Sequence, residues 1–243
     1  QLKKLGSSCD WERERFTLDE GCSRAVQLVF QRLYDQGLIY RGNRMVNWCP
    51  TCNTSISDAE VEYEEQDGSF WHLLYTVKET GEQLELATTR PETMFGDTAV
   101  AVSKDNEKLK HLIGKNAILP IVNRPIPIVA DDHADPEKGT GAVKITPAHD
   151  FNDFEVGKRH NLPMINILNE DATLNENTPF PGMDTQTARR KTIEKLEELG
   201  LMEKIEDHPM VIPYGDRSGV VIEPLMTDQW FVDAPKLAVK AIE

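Results

Sequence analysis

Phe70-Trp71-His72-Leu73-Leu74-Tyr75-Thr76-Val77, Lys78-Glu79-Thr80-Gly81-Glu82 and Gln83-Leu84-Glu85-Leu86-Ala87 follow one another without a break. The first and third runs are rich in aromatic, branched and leucine side chains, and the five residues between them are polar with one glycine, the pattern of a β-hairpin. Outward from it, short apolar runs recur at 98–102, 117–122, 126–130 and 142–145, each bounded by Gly, Pro or Asp. Many short strands at such spacing predict a closed or strongly curved sheet. Two helices interrupt the series. One spans 150–160; the other spans 184–199, where Asp184 can cap the start, Ala188, Ile193, Leu196 and Leu199 form a stripe, and Gly200 ends it. A strand is expected again over 164–168. On the N-terminal side, Val26, Val29, Phe30 and Leu33 recur at helical steps within 17–37, and Gly37 stands where a helix-ending glycine belongs. No internal repeat is present. Boundaries near 66 and 209 divide the chain into an N-terminal flank (1–65), a compact middle domain (66–208) and a C-terminal flank (209–243).

Composition narrows the class. With 243 residues, 39% hydrophobic and 28% charged, the chain is neither disordered nor collagen-like, and it is long enough to bury a sizeable core. Its longest apolar runs, such as 25–30 with Gln27 inside, fall far short of the roughly 18 residues of a membrane span. Residues 1–8 carry two lysines with no apolar stretch behind them, so they do not read as a secretory signal; with no initiator Met, the chain reads as cut from a longer polypeptide. Four cysteines, two of them in the Cys49-Pro50-Thr51-Cys52 turn, point to a reducing, cytoplasmic compartment rather than a disulfide scaffold. Lys+Arg 27 against Asp+Glu 41 gives a net charge of −14, which argues against a free-standing nucleic-acid binder. The local basic clusters 158–160 and 189–191 are read first as solvated helix faces.

The densest polar cluster runs from Lys144-Ile145-Thr146 through Pro147-Ala148-His149-Asp150 to Asp153. A strand ends, a proline turns the chain and a helix begins, so Asp150 and Asp153 lie one turn apart on the same side of its N-terminus. Asp150 as an N-cap and Asp153 as a first-turn acid need no further role. Alternatively, the two carboxylates line a pocket with Lys144 and Thr146 and grip an ammonium group. A second run, Ala87-Thr88-Thr89-Arg90-Pro91-Glu92-Thr93, leaves another strand end and offers hydroxyls and a guanidinium suited to a sugar and a phosphate, or simply forms turns. Asp131-Asp132-His133-Ala134-Asp135 and His149-Asp150 with Asp153 are rich enough in oxygen and imidazole to suggest a metal-dependent hydrolase, although no paired-histidine helical motif accompanies them. Cys49 and Cys52 are half of a zinc knuckle. Cys9 and Cys22, the remaining thiols, do not supply the other half by spacing.

Taken together, Ala87 to Thr93, Gly139-Thr140-Gly141-Ala142-Val143-Lys144-Ile145-Thr146-Pro147-Ala148-His149-Asp150 and Asp153 resemble the editing domain of the class I aminoacyl-tRNA synthetases for branched aliphatic amino acids. Val46-Asn47-Trp48-Cys49-Pro50, Ser57 to Glu62 and Pro213-Tyr214-Gly215-Asp216-Arg217-Ser218-Gly219 to Pro224 narrow the resemblance to the bacterial valyl-tRNA synthetases, over essentially the whole chain. The resemblance implies a mixed α and β fold, a β-barrel-like editing domain core with peripheral helices, inserted into a catalytic domain. It implies hydrolysis of threonine from mischarged tRNA(Val). Asp153 would hold the ammonium group, and Asp150 and Lys144 the substrate hydroxyl. Thr88, Thr89 and Arg90 would hold the ester and terminal adenosine, with Glu92 or Glu137 near the ribose and Thr140, Thr146 and His149 lining the same pocket. The implied partners are the tRNA(Val) acceptor end carrying threonine and the remainder of the synthetase, in a monomer with no membrane. Neither a HIGH nor a KMSKS motif is present, so ATP and magnesium are expected for the parent enzyme and no cofactor for this stretch. Where related synthetases carry a second CxxC, this chain has Gly215 and Ser218, which weakens the zinc reading. A non-catalytic module that docks the tRNA acceptor end, and a metal-dependent hydrolase, remain as competing classes.

Overall fold

The computed structural model describes residues 1–242. The first expected helix is Glu20–Asp35 (α1), which Asp19 opens by accepting the Cys22 N–H at 2.7 Å and Gly37, at φ 67°, closes. Strands β1 (Ile39–Cys49) and β2 (Thr54–Ile56) flank the CxxC turn, Cys49 pairing Thr54. The sheet-forming stretch follows: β3 (Val61–Val77), β4 (Gln83–Thr88), β5 (Ala99–Val102), β6 (Asn116–Leu119), β7 (Arg124–Ala130) and β8 (Ala142–Ile145). Then come α2 (Phe151–Arg159), α3 (Thr185–Glu198), β9 (Met202–Gly215), β10 (Glu223–Val232) and α4 (Ala234–Ile242).

Two compact units result, 1–43 with the chain from 228 onward, and 44–227. In the first, Trp230 packs edge-on against Phe30 and Tyr34, with ring centroids 5.6 and 6.2 Å apart. The second holds the large sheet, ordered β4-β3-β6-β7-β5-β8, with β9 along β3. All its pairings are antiparallel except β5 with β7. The expected hairpin is present: Leu73 pairs Leu86 and Tyr75 pairs Leu84. The alternation in β3 sends Leu73, Tyr75 and Val77 to one face, where they pack with Leu84, Leu86, Phe95 and Ile128 in a fully buried core. The sheet curls until its two ends, β4 and β8, lie against each other. A β-barrel-like core with helices at its periphery is therefore what the chain forms.

Two expectations differ from the structure. Over 164–168 there is no strand, only an isolated bridge from Leu168 to Leu174. Side chains bind that backbone instead: His149 Nε2 accepts the Ile167 N–H at 2.9 Å, and the Asn175 and Asn177 amides donate to the Asn166 carbonyl. The positions expected as boundaries, 66 and 209, lie in one continuous ribbon, where Gln66 pairs Met210 and Asp67 pairs Pro209.

Helix α2 is set on the sheet by its proline turn. A Cβ on Gly157 would stand 2.7 Å from Pro147 Cβ and 3.0 Å from Met164 Cε. Gly157→Ala should therefore lose stability by about 1–3 kcal/mol through overpacking, more than the up to ~1 kcal/mol that alanine gains in a helix. The urea midpoint measures this, and a midpoint at or above that of the parent protein would show that α2 is not seated so closely.

Candidate active site

A cleft of about 230 Å³ opens where the end of β4 meets the end of β8 and the start of α2. It is lined by Thr88, Thr89, Arg90, Thr93, Lys144, Thr146, His149, Asp150 and Asp153, with Phe70, His133 and Asn152 at its edge. Residues from two distant stretches, 87–93 and 143–153, thus converge because their strands are the closing pair of the curled sheet.

At the base lies a buried polar network. The Lys144 ammonium donates to Thr93 Oγ1 (3.1 Å), Asp97 Oδ1 (3.2 Å) and Thr146 Oγ1 (2.5 Å), which uses all three of its protons. Thr146 Oγ1 in turn donates to Asp97 Oδ1 at 2.6 Å, and Tyr75 donates to Asp97 Oδ2 at 2.7 Å. Burial pushes the Asp97 carboxyl above its usual range, although Lys144, Thr146 and Tyr75 all work the other way. Thr93 Oγ1 donates to the Arg90 carbonyl at 2.9 Å. Both threonines therefore direct their protons into the protein, and each keeps one lone pair for the cleft.

At the rim, Asp150 caps α2 by accepting the Asn152 and Asp153 N–H groups at 2.8 and 3.0 Å. Asp153 Oδ2 accepts the Thr146 N–H at 2.8 Å, while Oδ1 lies 3.4 Å from His133 Nε2. The pairing with Asp153 raises the His133 pKa against the opposing effect of burial. Arg90, paired with Glu223 and 3.5 Å from Glu92, has its pKa raised by these two carboxylates despite desolvation. His149 is buried and, with Arg90 nearby, is pushed down to about 3; its ring is neutral near pH 7, and Nε2 is occupied by the Ile167 amide.

The family model for tRNA synthetases class I (I, L, M and V) matches residues 1–243. The chain belongs to this family. It is 56% identical over 244 residues to the valine–tRNA ligase of Clostridium tetani and 54% identical over 245 residues to that of Francisella tularensis. Each alignment covers 100% of this chain but only 28% and 27% of the relative, so the chain spans about a quarter of the length of the curated relatives it matches. A solved LeuRS from Agrobacterium radiobacter K84, in complex with tRNA and LeuAMS, covers 86% of this chain and 35% of its own, at a TM-score of 0.47 and 18% identity.

Not every residue expected from the synthetase resemblance reaches the cleft. Both carboxylate oxygens of Glu92 are held by Arg189 at 2.8 Å, and although burial acts against the charge, Arg189 and Arg90 keep it ionised. It buttresses Arg90 instead of facing a ribose. Glu137 is exposed on the 131–141 loop, and the Thr140 hydroxyl donates to the Ala142 carbonyl; neither lines the cleft. Lys144 lines it, but with its protons committed to the network it cannot also donate to a substrate hydroxyl without breaking a buried bond. The basic clusters are partly neutralised: Arg159 and His160 clamp Asp131, and Arg189 serves Glu92.

Sequence reasoning missed Asp97, took Thr93 only as one hydroxyl of the 87–93 run, and took His133 only as part of a metal site. Thr93 sits in the Thr88–Thr93 run and was within reach of it; Asp97, in the turn after Gly96, carried no local signal beyond turn formation. Among the described residues no group of three or more His, Cys, Asp or Glu could hold a metal ion. The Asp131 carboxylate, from the run expected to hold one, is occupied by Arg159 and His160. The CxxC turn faces 215–218, where Cys49 Sγ lies 3.4 Å from Ser218 Oγ; it offers two thiols and a hydroxyl where tetrahedral zinc takes four strong ligands.

Proposed function

We propose that the cleft hydrolyses the ester linking threonine to tRNA(Val), as the editing site of a valyl-tRNA synthetase. Threonine differs from valine by a hydroxyl in place of a methyl, and an apolar activation pocket rejects such an isostere only about 100-fold. A second site must then demand the hydroxyl. The observation that carries this reading is the orientation of Thr93 and Thr146, whose protons point inward so that the cleft presents acceptors. A threonine hydroxyl donates to them. Valine would desolvate the same acceptors and leave them unpaired, at a cost of about 1–3 kcal/mol for each.

In this reading Lys144 holds the two hydroxyls in place and Asp97 holds Lys144, while Asp153 receives the α-ammonium group. Asp150, with one oxygen spent on the helix cap, turns the other to the cleft. Thr88, Thr89 and Arg90 receive the ribose and the terminal phosphate. The ester is already activated, so a water positioned beside it is sufficient and no covalent nucleophile is required. Water adds to the ester carbonyl, and the ribose oxygen leaves with a proton. The activation of valine with ATP and magnesium belongs, in this proposal, to other parts of the synthetase.

The test is release of threonine from threonyl-tRNA(Val) and of valine from valyl-tRNA(Val) by the intact polypeptide, with and without chelator. Threonine release should exceed valine release by at least about 100-fold and persist in chelator. Thr146→Val should lower threonine release by about 10–100-fold and raise the small valine rate, because the acceptor that valine leaves unpaired is gone. No release of either amino acid would leave a docking module, and loss in chelator would leave a metal-dependent hydrolase.

A further inference from the structure

His133 is a titratable side chain at the cleft that none of these roles uses. It is held there by construction. The His133 backbone N–H donates to Asp131 Oδ1 at 2.9 Å, and Asp131 is fixed to the end of α2 by Arg159 at 2.8 and 3.1 Å and by His160 at 2.8 Å. The loop is thus clamped to the same helix whose first turn carries Asp150 and Asp153. The consequence is that His133 Nε2 stands 3.4 Å from Asp153 Oδ1, the oxygen left over once Thr146 has taken Oδ2. Asp153 has 10% of its side chain exposed and His133 27%, so the pair lies at the mouth, open to a ligand on one side.

We propose that His133 is a positioning residue that gates the ammonium site: its protonated ring occupies Asp153 Oδ1 and competes with the ammonium group of an incoming aminoacyl end, and its neutral ring releases that oxygen. The inference rests on the editing reading, since it assigns Asp153 to the ammonium. The charges facing the imidazole are Asp131 on its own loop and Asp150 and Asp153 on α2. Lys144 and Arg90 reach the same cleft from the β8 and β4 ends, already paired with Asp97 and with Glu223. Of the three carboxylates, Asp131 is neutralised by Arg159 and Asp150 is half engaged by the helix amides. Asp153 is left as the partner whose charge the imidazole meets. A cationic ring and a cationic ligand cannot both hold one oxygen at low cost, so protonation of His133 and binding of the ammonium are linked.

His133 gains a proton partner in Asp153, so its protonated form is favoured, and the block is complete at low pH and lifted as pH rises through the titration of the ring. The probe is a threonyl-adenosine in which an amide replaces the ester, which binds without being cleaved, measured by calorimetry with the intact polypeptide and its His133→Gln variant. Comparing the two proteins at each pH cancels the titration of the probe's own amine. At pH 5.5 the variant should bind about fivefold more tightly, the upper range for a partly exposed ion pair. By pH 8.5 the ratio should close towards one. A ratio constant with pH, or a variant that binds more weakly at pH 5.5, would overturn the gate. As a second readout, the imidazole NMR titration midpoint of His133 should fall in Asp153→Asn, and an unmoved midpoint would also overturn it. If the ratio and midpoint behave as stated while threonyl-tRNA(Val) is not hydrolysed, the editing reading fails and the pairing stands.

Discussion

Asp97→Ala is expected to destabilise the 44–227 unit by about 3–5 kcal/mol, the cost of stranding a buried charge. Asp97 is fully buried and serves three donors: the Lys144 ammonium, the Thr146 hydroxyl and the Tyr75 hydroxyl. Without it, Lys144, 8% exposed, is left with no counter-ion, and the Tyr75 hydroxyl, wholly buried, loses its acceptor. Burial holds the Asp97 carboxyl above its usual range even with the ammonium beside it, so the charged pair as a whole does little to stabilise the fold. The double variant Asp97→Asn with Lys144→Met should therefore recover most of the loss, since Asn keeps an acceptor for Tyr75 and Met fills the lysine stem's volume. It should remain unable to discriminate threonine, because the two hydroxyls lose what orients them. Urea midpoints and threonine release, measured on the same preparations, separate these effects. A single variant within about 1 kcal/mol of the parent would mean that the network is solvated and not the rigid base described above.

That network also marks where the sequence stops being legible. The β3–β4 hairpin could be read because Gly81, at φ 75°, turns two strands whose buried residues alternate. Helix α2 could be read from Asp150, an N-cap that also places Asp153 one turn away, and both carboxylates do line the cleft. Asp97 was hidden because its partner Lys144 lies 47 positions along the chain, and in sequence it is only a polar residue after a glycine. The long β3–β9 ribbon was hidden for a different reason. Residues 62–67 are exposed on both faces, so no alternation betrays a strand; the backbone ladder from Val61–Gly215 to Leu73–Met202 holds them. Pro209 and Pro213 also read as strand breakers, yet β3 is the one named strand that β9 pairs with among the described residues, and an edge strand tolerates a missing N–H. Glu92 is the opposite case: the synthetase resemblance implied a place near the ribose, whereas Arg189, from α3, holds both of its carboxylate oxygens.

Asp153→Asn should reduce threonine release by about 100-fold or more in kcat/KM while leaving the urea midpoint within about 1 kcal/mol of the parent. The two expectations come from its two oxygens. Oδ2 holds the Thr146 N–H at 2.8 Å, a buried donor that would be orphaned in Asp153→Ala at a cost of about 1–3 kcal/mol. An asparagine can present its carbonyl oxygen there and spare the fold. Oδ1 faces the cleft, and in the variant a neutral amide stands where the ammonium of the aminoacyl group would sit, with two hydrogen atoms directed at a cation. Removing the charge from the substrate tests the same contact from the other side. A tRNA(Val) ester of the acid with a hydroxyl in place of the α-amine lacks the ammonium, and the parent protein should hydrolyse it about 100-fold less well than the threonine ester. On that ester Asp153→Asn should change little, because the contact it deletes is already missing, and the two losses should not add. Full additivity of the two, or a variant that releases threonine at the parent rate, would move the ammonium site to another carboxylate, and Asp150, one helical turn away with an oxygen free, is the only other one lining this cleft among the described residues.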